Sequence, residues 1–110
     1  AMIEYSVDQF HLGWFIGDFE PTILKTKDFE VCYRVQKKGE VHKPHIHPIG
    51  TEYNYLIRGE MTVNGKKFVG PVVFVIEPGE AVYPTMDTDC ELIIVKTPSL
   101  STDKVLVEDL

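Results

Sequence analysis

The stretch 39-GEVHKPHIHPIGTEYNYLIRG-59 decides how this chain is read. His45 and His47 stand two apart. Glu52 follows after the short segment 48-PIGT-51, and Gly39 and Gly59 bound the whole. Side chains along a strand alternate between its faces, so the His-x-His spacing sends both imidazoles to one side. A loop as short as 48–51 can turn the chain so that Glu52, heading the next strand, points at the same spot. Imidazole nitrogen suits zinc, iron, nickel, copper and manganese. Two imidazoles and a carboxylate leave coordination positions open for water, oxygen or a substrate, which is the pattern of a working site rather than a closed structural one. The bland reading is two histidines on the wet face of a sheet, with Glu52 a surface charge; His-x-His alone does not separate the two.

The flanking sequence is strand-like. In 29-FEVCYRVQ-36, Phe29, Val31, Tyr33 and Val35 share a face. In 52-EYNYLIRG-59, Glu52, Asn54 and Leu56 oppose Tyr53, Tyr55 and Ile57. The run 72-VVFVIE-77 is apolar nearly throughout and predicts a strand covered on both sides. In 90-CELIIVKT-97, Cys90, Leu92, Ile94 and Lys96 oppose Glu91, Ile93 and Val95. Asn64-Gly65, inside 61-MTVNGKKFV-69, takes positive φ cheaply and predicts a two-residue hairpin. No sustained helical period exists; a short helical turn within 17-GDFEPTILKT-26 is the best candidate. Short strands separated by Gly and Pro predict a β-sandwich or barrel.

The bulk numbers set limits. A chain of 110 residues is the size of one compact domain. Eleven basic against seventeen acidic residues give a net charge of −6, which argues against a nucleic-acid or anionic-membrane partner. Cys32 and Cys90 each lie in an apolar run and read as buried free thiols. No stretch reads as a signal peptide or a membrane span, so a cytoplasmic setting is the default expectation. There is no phosphate loop, no G-x-S-x-G elbow and no C-x-x-C pair. His11 and Trp14 read as structural.

The opening stretch resembles the first motif of the cupin family, G(X)5HXH(X)3–4E(X)6G. Gly39, His45, His47, Glu52 and Gly59 meet every fixed position. The resemblance covers roughly residues 28–97, with residues 1–27 and 98–110 as terminal arms of the single domain 1–110. It implies an all-β jelly-roll barrel of antiparallel strands whose metal ligands face inward. It also implies a divalent metal (Zn, Fe, Mn or Ni) on His45, His47 and Glu52, a small-molecule ligand, and a homodimer.

The second cupin motif, G(X)5PXG(X)2H(X)3N, is where the chain departs. Its counterpart is 70-GPVVFVIEPGEAVYPTMD-87, which has the Pro78-Gly79 turn and no histidine. Counted from Gly79 the missing position is Val82; counted from Gly70 it is Ala81. Tyr83, with Asp87 four residues on, is the nearest substitute donor, and His42 is the other candidate for a fourth ligand. Asn54 shares the face of Glu52 and is a candidate ligand contact. Two outcomes stay open: a three-ligand metal centre, or a barrel that uses its histidines as polar contacts. The function expected is a small-molecule-binding or small-molecule-converting metal protein. The alternatives are a non-catalytic binding module, for a carbohydrate for example, and a dimerising accessory domain without metal.

Overall fold

The computed structural model describes residues 1–110. Eleven strands run β1 (Trp14–Ile16), β2 (Glu30–Gln36), β3 (His45–Ile46), β4 (Thr51–Arg58), β5 (Glu60–Val63), β6 (Lys66–Val69), β7 (Val72–Ile76), β8 (Ala81–Val82), β9 (Pro84–Met86), β10 (Cys90–Thr97) and β11 (Val105–Leu106). The only helical segments are three short 3-10 turns. None is long and apolar enough to cross a membrane. The strands form three antiparallel sheets, ordered β1-β2-β10-β4-β7, β11-β3-β8 and β6-β5-β9. No sheet closes on itself, so the expected barrel is an open assembly of three sheets around a shared interior.

Two features of the sequence shape this frame. Asn64 (φ 53°) and Gly65 (φ 80°) both adopt the left-handed conformation of a tight hairpin between β5 and β6, as expected. The eight-residue strand β10 lies between β2 and β4 and pairs with both. Its inward residues Cys90, Leu92, Ile94 and Lys96 are all buried. They meet Leu56, Cys32 and Ile76 of the same sheet, and Met61, Val63, Val82 and Met86 from the two small sheets, in one core. Burying one such side chain contributes about 1.5–3 kcal/mol. Cys32 and Cys90 are free and buried, as read from the sequence.

The structure corrects two expectations. Residues 17–26 form no helix; Pro21 interrupts the segment, and Leu24 makes an isolated parallel bridge to Ile16. Strand β7 is not covered on both sides: it lies at the edge of the large sheet, with Val73 and Val75 exposed. On β2 the face that turns inward carries Glu30, Cys32, Arg34 and Gln36, beside Lys96, Ile94, Leu92 and Cys90 of β10. From the terminal segments, β1 and β11 each extend a sheet at its edge.

The two glycines that bound the opening stretch are required for different reasons. Gly39 (φ 82°) and Gly59 (φ 106°) both lie in the left-handed region, but a Cβ on Gly39 would meet nothing within 4 Å. A Cβ on Gly59 would lie 2.3 Å from the Asp89 carbonyl oxygen and 2.9 Å from Cys90 Cα. Gly39→Ala is therefore expected to cost about 1–2 kcal/mol, the backbone penalty alone. Gly59→Ala is expected to cost clearly more, because the backbone entering β10 must shift. Urea denaturation of the two variants checks the order; equal losses would contradict it.

Candidate metal centre

The site begins at β3. His45 lies in β3, opposite Val82 in β8 and Leu106 in β11. His47 follows β3 directly and is 6% exposed. Its carbonyl accepts a hydrogen bond from Gly79 N at 2.9 Å, which ties the first motif to the Pro78-Gly79 turn of the second. The chain then turns through Pro48–Gly50 into β4, where Glu52 points back at the histidines. The imidazole centroids are 5.0 Å apart and nearly perpendicular. His47 Nε2 is 3.2 Å from Glu52 Oε2. One ligand atom from each of His45, His47 and Glu52 lies within 4.8 Å of the others.

The turn between the ligands is held from far along the chain. The Asp103 carboxylate accepts from Ile49 N (2.9 Å) and Gly50 N (2.7 Å). It is 3% exposed, and Gly50 leaves it room: a Cβ there would lie 2.8 Å from Asp103 Oδ2. The same carboxylate is 3.9 Å from His47 Nδ1, and the buried Lys96 Nζ is 3.3 Å from that nitrogen. A metal held through Nε2 requires the proton on Nδ1, the tautomer the Asp103 carboxylate favours. With Lys96 donating to Nδ1, the proton instead sits on Nε2, facing Glu52. His45 has a simpler support, Nδ1 lying 3.2 Å from the Lys43 carbonyl, which leaves Nε2 as the free donor atom.

The protonation states suit a cation. Burial lowers the His45 pKa below its ordinary 6.5, reinforced by Lys104 and His47 against the Lys43 carbonyl and Glu52. Burial alone would raise the Glu52 carboxyl, but the His47 hydrogen bond and charge, with the charge of His45, hold it below its ordinary 4.5. Asn54 Nδ2 also favours the ionised carboxylate by proximity, although it reaches hydrogen-bonding geometry with no partner. Near neutral pH the centre thus offers a neutral imidazole and a carboxylate, as a divalent ion needs. The residues fit such an ion in number, spacing and charge.

The remaining candidates separate cleanly. Register resolves the second-motif position: Val82, 4% exposed, lies opposite His45, so an apolar side chain stands where a fourth ligand would. Tyr83 does not reach the centre. It is 51% exposed, and its backbone is pinned to Asn64. His42 sits at the cavity rim, 3.2 Å from Glu40, outside the cluster. Asn54 is buried and lines the cavity. His11 is exposed, whereas Trp14 is part of the cavity wall. Sequence reasoning missed Lys96 and Asp103. A lysine in phase with Leu92 and Ile94 on a core-facing strand was a usable signal; Asp103 carries none in its neighbourhood.

The cavity around the centre measures about 490 Å³ and opens to solvent past Leu12, Trp14 and Arg34. No protein-family model and no curated protein matches the chain. Solved structures do. An uncharacterized conserved protein with a double-stranded beta-helix domain from Klebsiella pneumoniae aligns over 96% of this chain and 91% of its own, with a TM-score of 0.69 and 20% identity. DMSP lyase DddQ from Ruegeria pomeroyi aligns over 87% of this chain, with a TM-score of 0.70 and 17% identity. The fold is cupin-like. Oxalate decarboxylase from Lactobacillus farciminis, in its formate complex, matches 74% of this chain, with a TM-score of 0.61 and 17% identity. The aligned region spans half of the DMSP lyase and 27% of the decarboxylase. At these identities the likeness concerns the fold, and in this cupin-like fold His45, His47 and Glu52 form a cluster that resembles a cupin metal site.

The pKa shifts have a sign that can be tested on metal-free protein. His45 is less basic folded than unfolded, so stability falls as pH drops below about 6.5 and the unfolded state takes up the proton first. Glu52 is more acidic folded, so its contribution is full above about 4.5 and is lost as pH falls through the lower folded value. The melting temperature is expected to decline in both windows. His45→Gln should flatten the upper one; an unchanged slope there would contradict the assignment.

Proposed function

We propose that this cupin-like protein binds a divalent transition ion (Zn, Fe, Mn or Ni) through His45, His47 and Glu52, and binds or converts a small molecule beside it. The single observation that carries the reading is the convergence of three donor atoms within 4.8 Å at the wall of an open cavity. When bound, the ion would supply Lewis acidity or oxygen activation to a chelating substrate such as an acid or a sugar. The chain supplies the rest. Glu52 brings the negative charge, Asp103 and the Lys43 carbonyl orient the imidazoles, and Val82 leaves the cavity side of the ligand set free of a further donor. Val82 also favours a second reading, a binding module without turnover, because a three-residue set holds an ion less tightly than a four-residue one. A panel of keto acids, catechols and sugar phosphates separates these two readings by product formation.

Metal content tests the centre itself. Protein purified without a nickel column is expected to carry metal, and the His45→Ala/His47→Ala variant to lose it. Added ion at a hundredfold excess over Kd should stabilise the wild type by about 2.7 kcal/mol, on the order of 10 °C in Tm. A metal-free wild type whose Tm ignores Zn, Mn, Fe and Ni would rule out the metal reading.

We further propose a cytoplasmic homodimer formed through the outer face of the large sheet. Cross-strand register aligns Val31, Val95, Tyr53 and Val75 in one row, and Tyr33, Ile93, Tyr55 and Val73 in the next. Tyr53, Tyr55, Val73 and Val75 are 40–63% exposed. A contiguous apolar patch of this kind suits self-association. The two free thiols support a reducing compartment. Light scattering is expected to give twice the 12.5 kDa chain mass. Tyr53→Lys with Val75→Lys should halve it, and a monomeric wild type would dismiss the interface.

A further inference from the structure

Two buried groups around the centre remain without partners of the ordinary kind. Asn54 is 3% exposed, and its Nδ2 makes no hydrogen bond. It follows Glu52 by one strand repeat on the same face of β4 and lines the same cavity. Its cross-strand neighbours are Ile94 and Phe74, whose side chains offer no acceptor. An orphaned buried donor weakens the fold, and this one belongs to a residue that lines the cavity beside Glu52. Lys96, opposite Glu52 on β10, is 6% exposed and makes no ion pair with any carboxylate. Its ammonium meets only His47 Nδ1. It also lines the cavity.

The charge of the cavity wall runs against that of the chain. The chain carries a net −6, yet its cavity is lined by Arg34, Lys43, Lys96 and Lys104 against Glu30 and Glu52 alone. Both carboxylates are engaged, Glu30 by Leu100 N at 3.1 Å and Glu52 by His47. A half-buried guanidinium at the mouth, Arg34, spends one nitrogen on the Leu12 carbonyl and keeps donors free. Lys43 is paired with Glu108 at 2.8 Å, so Arg34, Lys96 and Lys104 carry the excess, and it favours an anionic ligand beside the centre. Much of the remaining lining is apolar, with Met61, Val63, Ile76 and Val82.

We infer that the cavity takes a small organic carboxylate, one of whose oxygens accepts a hydrogen bond from Asn54 Nδ2. The inference rests on the proposed function only in placing the ligand beside His45, His47 and Glu52; a carbohydrate or a neutral metabolite does not fit the charge.

Size-matched probe pairs test it: lactate against lactamide, and pyruvate against pyruvamide. Zinc is first titrated into metal-free protein by calorimetry, and the organic probes are then titrated into zinc-loaded protein. At least one acid is expected to bind tenfold or more tightly than its amide, with a preference that shrinks as salt is raised. Asn54→Leu should keep zinc, lose at least tenfold in acid affinity, and melt at a higher temperature without ligand, because the orphaned donor is gone. A purely structural asparagine would instead lower the melting temperature and leave acid binding alone. Arg34→Gln, at the open mouth, gives an independent variant, expected to weaken the acid severalfold and spare the amide. Equal binding of acid and amide in both pairs overturns the inference and leaves the metal reading intact. Failure of zinc to bind removes the metal reading, and thermal shifts of metal-free protein with the same pairs still decide the anion.

Discussion

The structure depends on the register of β10 between β2 and β4. That pairing sets Lys96 beside both Glu30 and Glu52, Ile94 beside Cys32 and Asn54, and Leu92 beside Leu56. The interior is therefore graded along one strand, polar where Lys96 lies and apolar where Leu92 does. A slip of one residue would turn every side chain of β10 to the other face. It would withdraw Lys96 from the ligands and carry Glu91, Ile93 and Val95 inside. The centre is the polar end of a gradient that the pairing of three strands creates.

The interior and exterior of the large sheet also exchange their usual characters. Glu30, Gln36, Asn54 and Lys96 are buried, while Tyr53, Tyr55, Val73 and Val75 face outward. Each buried polar group stabilises the fold only if it is satisfied. Glu30 is satisfied by a backbone amide beyond β10, and Glu52 by a ligand histidine. Asn54 is not satisfied by the protein. That one position costs the fold stability, and unsatisfied donors of this kind are common where a scaffold departs from its own rules for function.

Most of the centre was legible because its spacing is short. A single residue between the histidines and a four-residue turn before Glu52 are distances that strand geometry can interpret directly. The Asn64-Gly65 hairpin was legible for the same reason. Legibility failed where the answer lay across the fold. Whether Val82 or Ala81 replaces the second-motif histidine depended on which faces His45, and only the pairing of β3 with β8 decides it. The apolar run of β7 looked doubly covered because hydrophobicity does not say whether a strand is central or at an edge. Closure into a barrel was expected from the resemblance, and no local pattern could correct it.

Asp103 shows what such distance means for assembly. Its carboxylate holds the turn between His47 and Glu52 from more than fifty residues downstream. All three ligand residues therefore leave the ribosome well before the group that fixes their geometry. Until residue 103 emerges and docks, the peptide groups of Ile49 and Gly50 lack their acceptor. Removing only the final segment would leave His45, His47 and Glu52 in the chain and still strip the turn between them of the carboxylate that holds it.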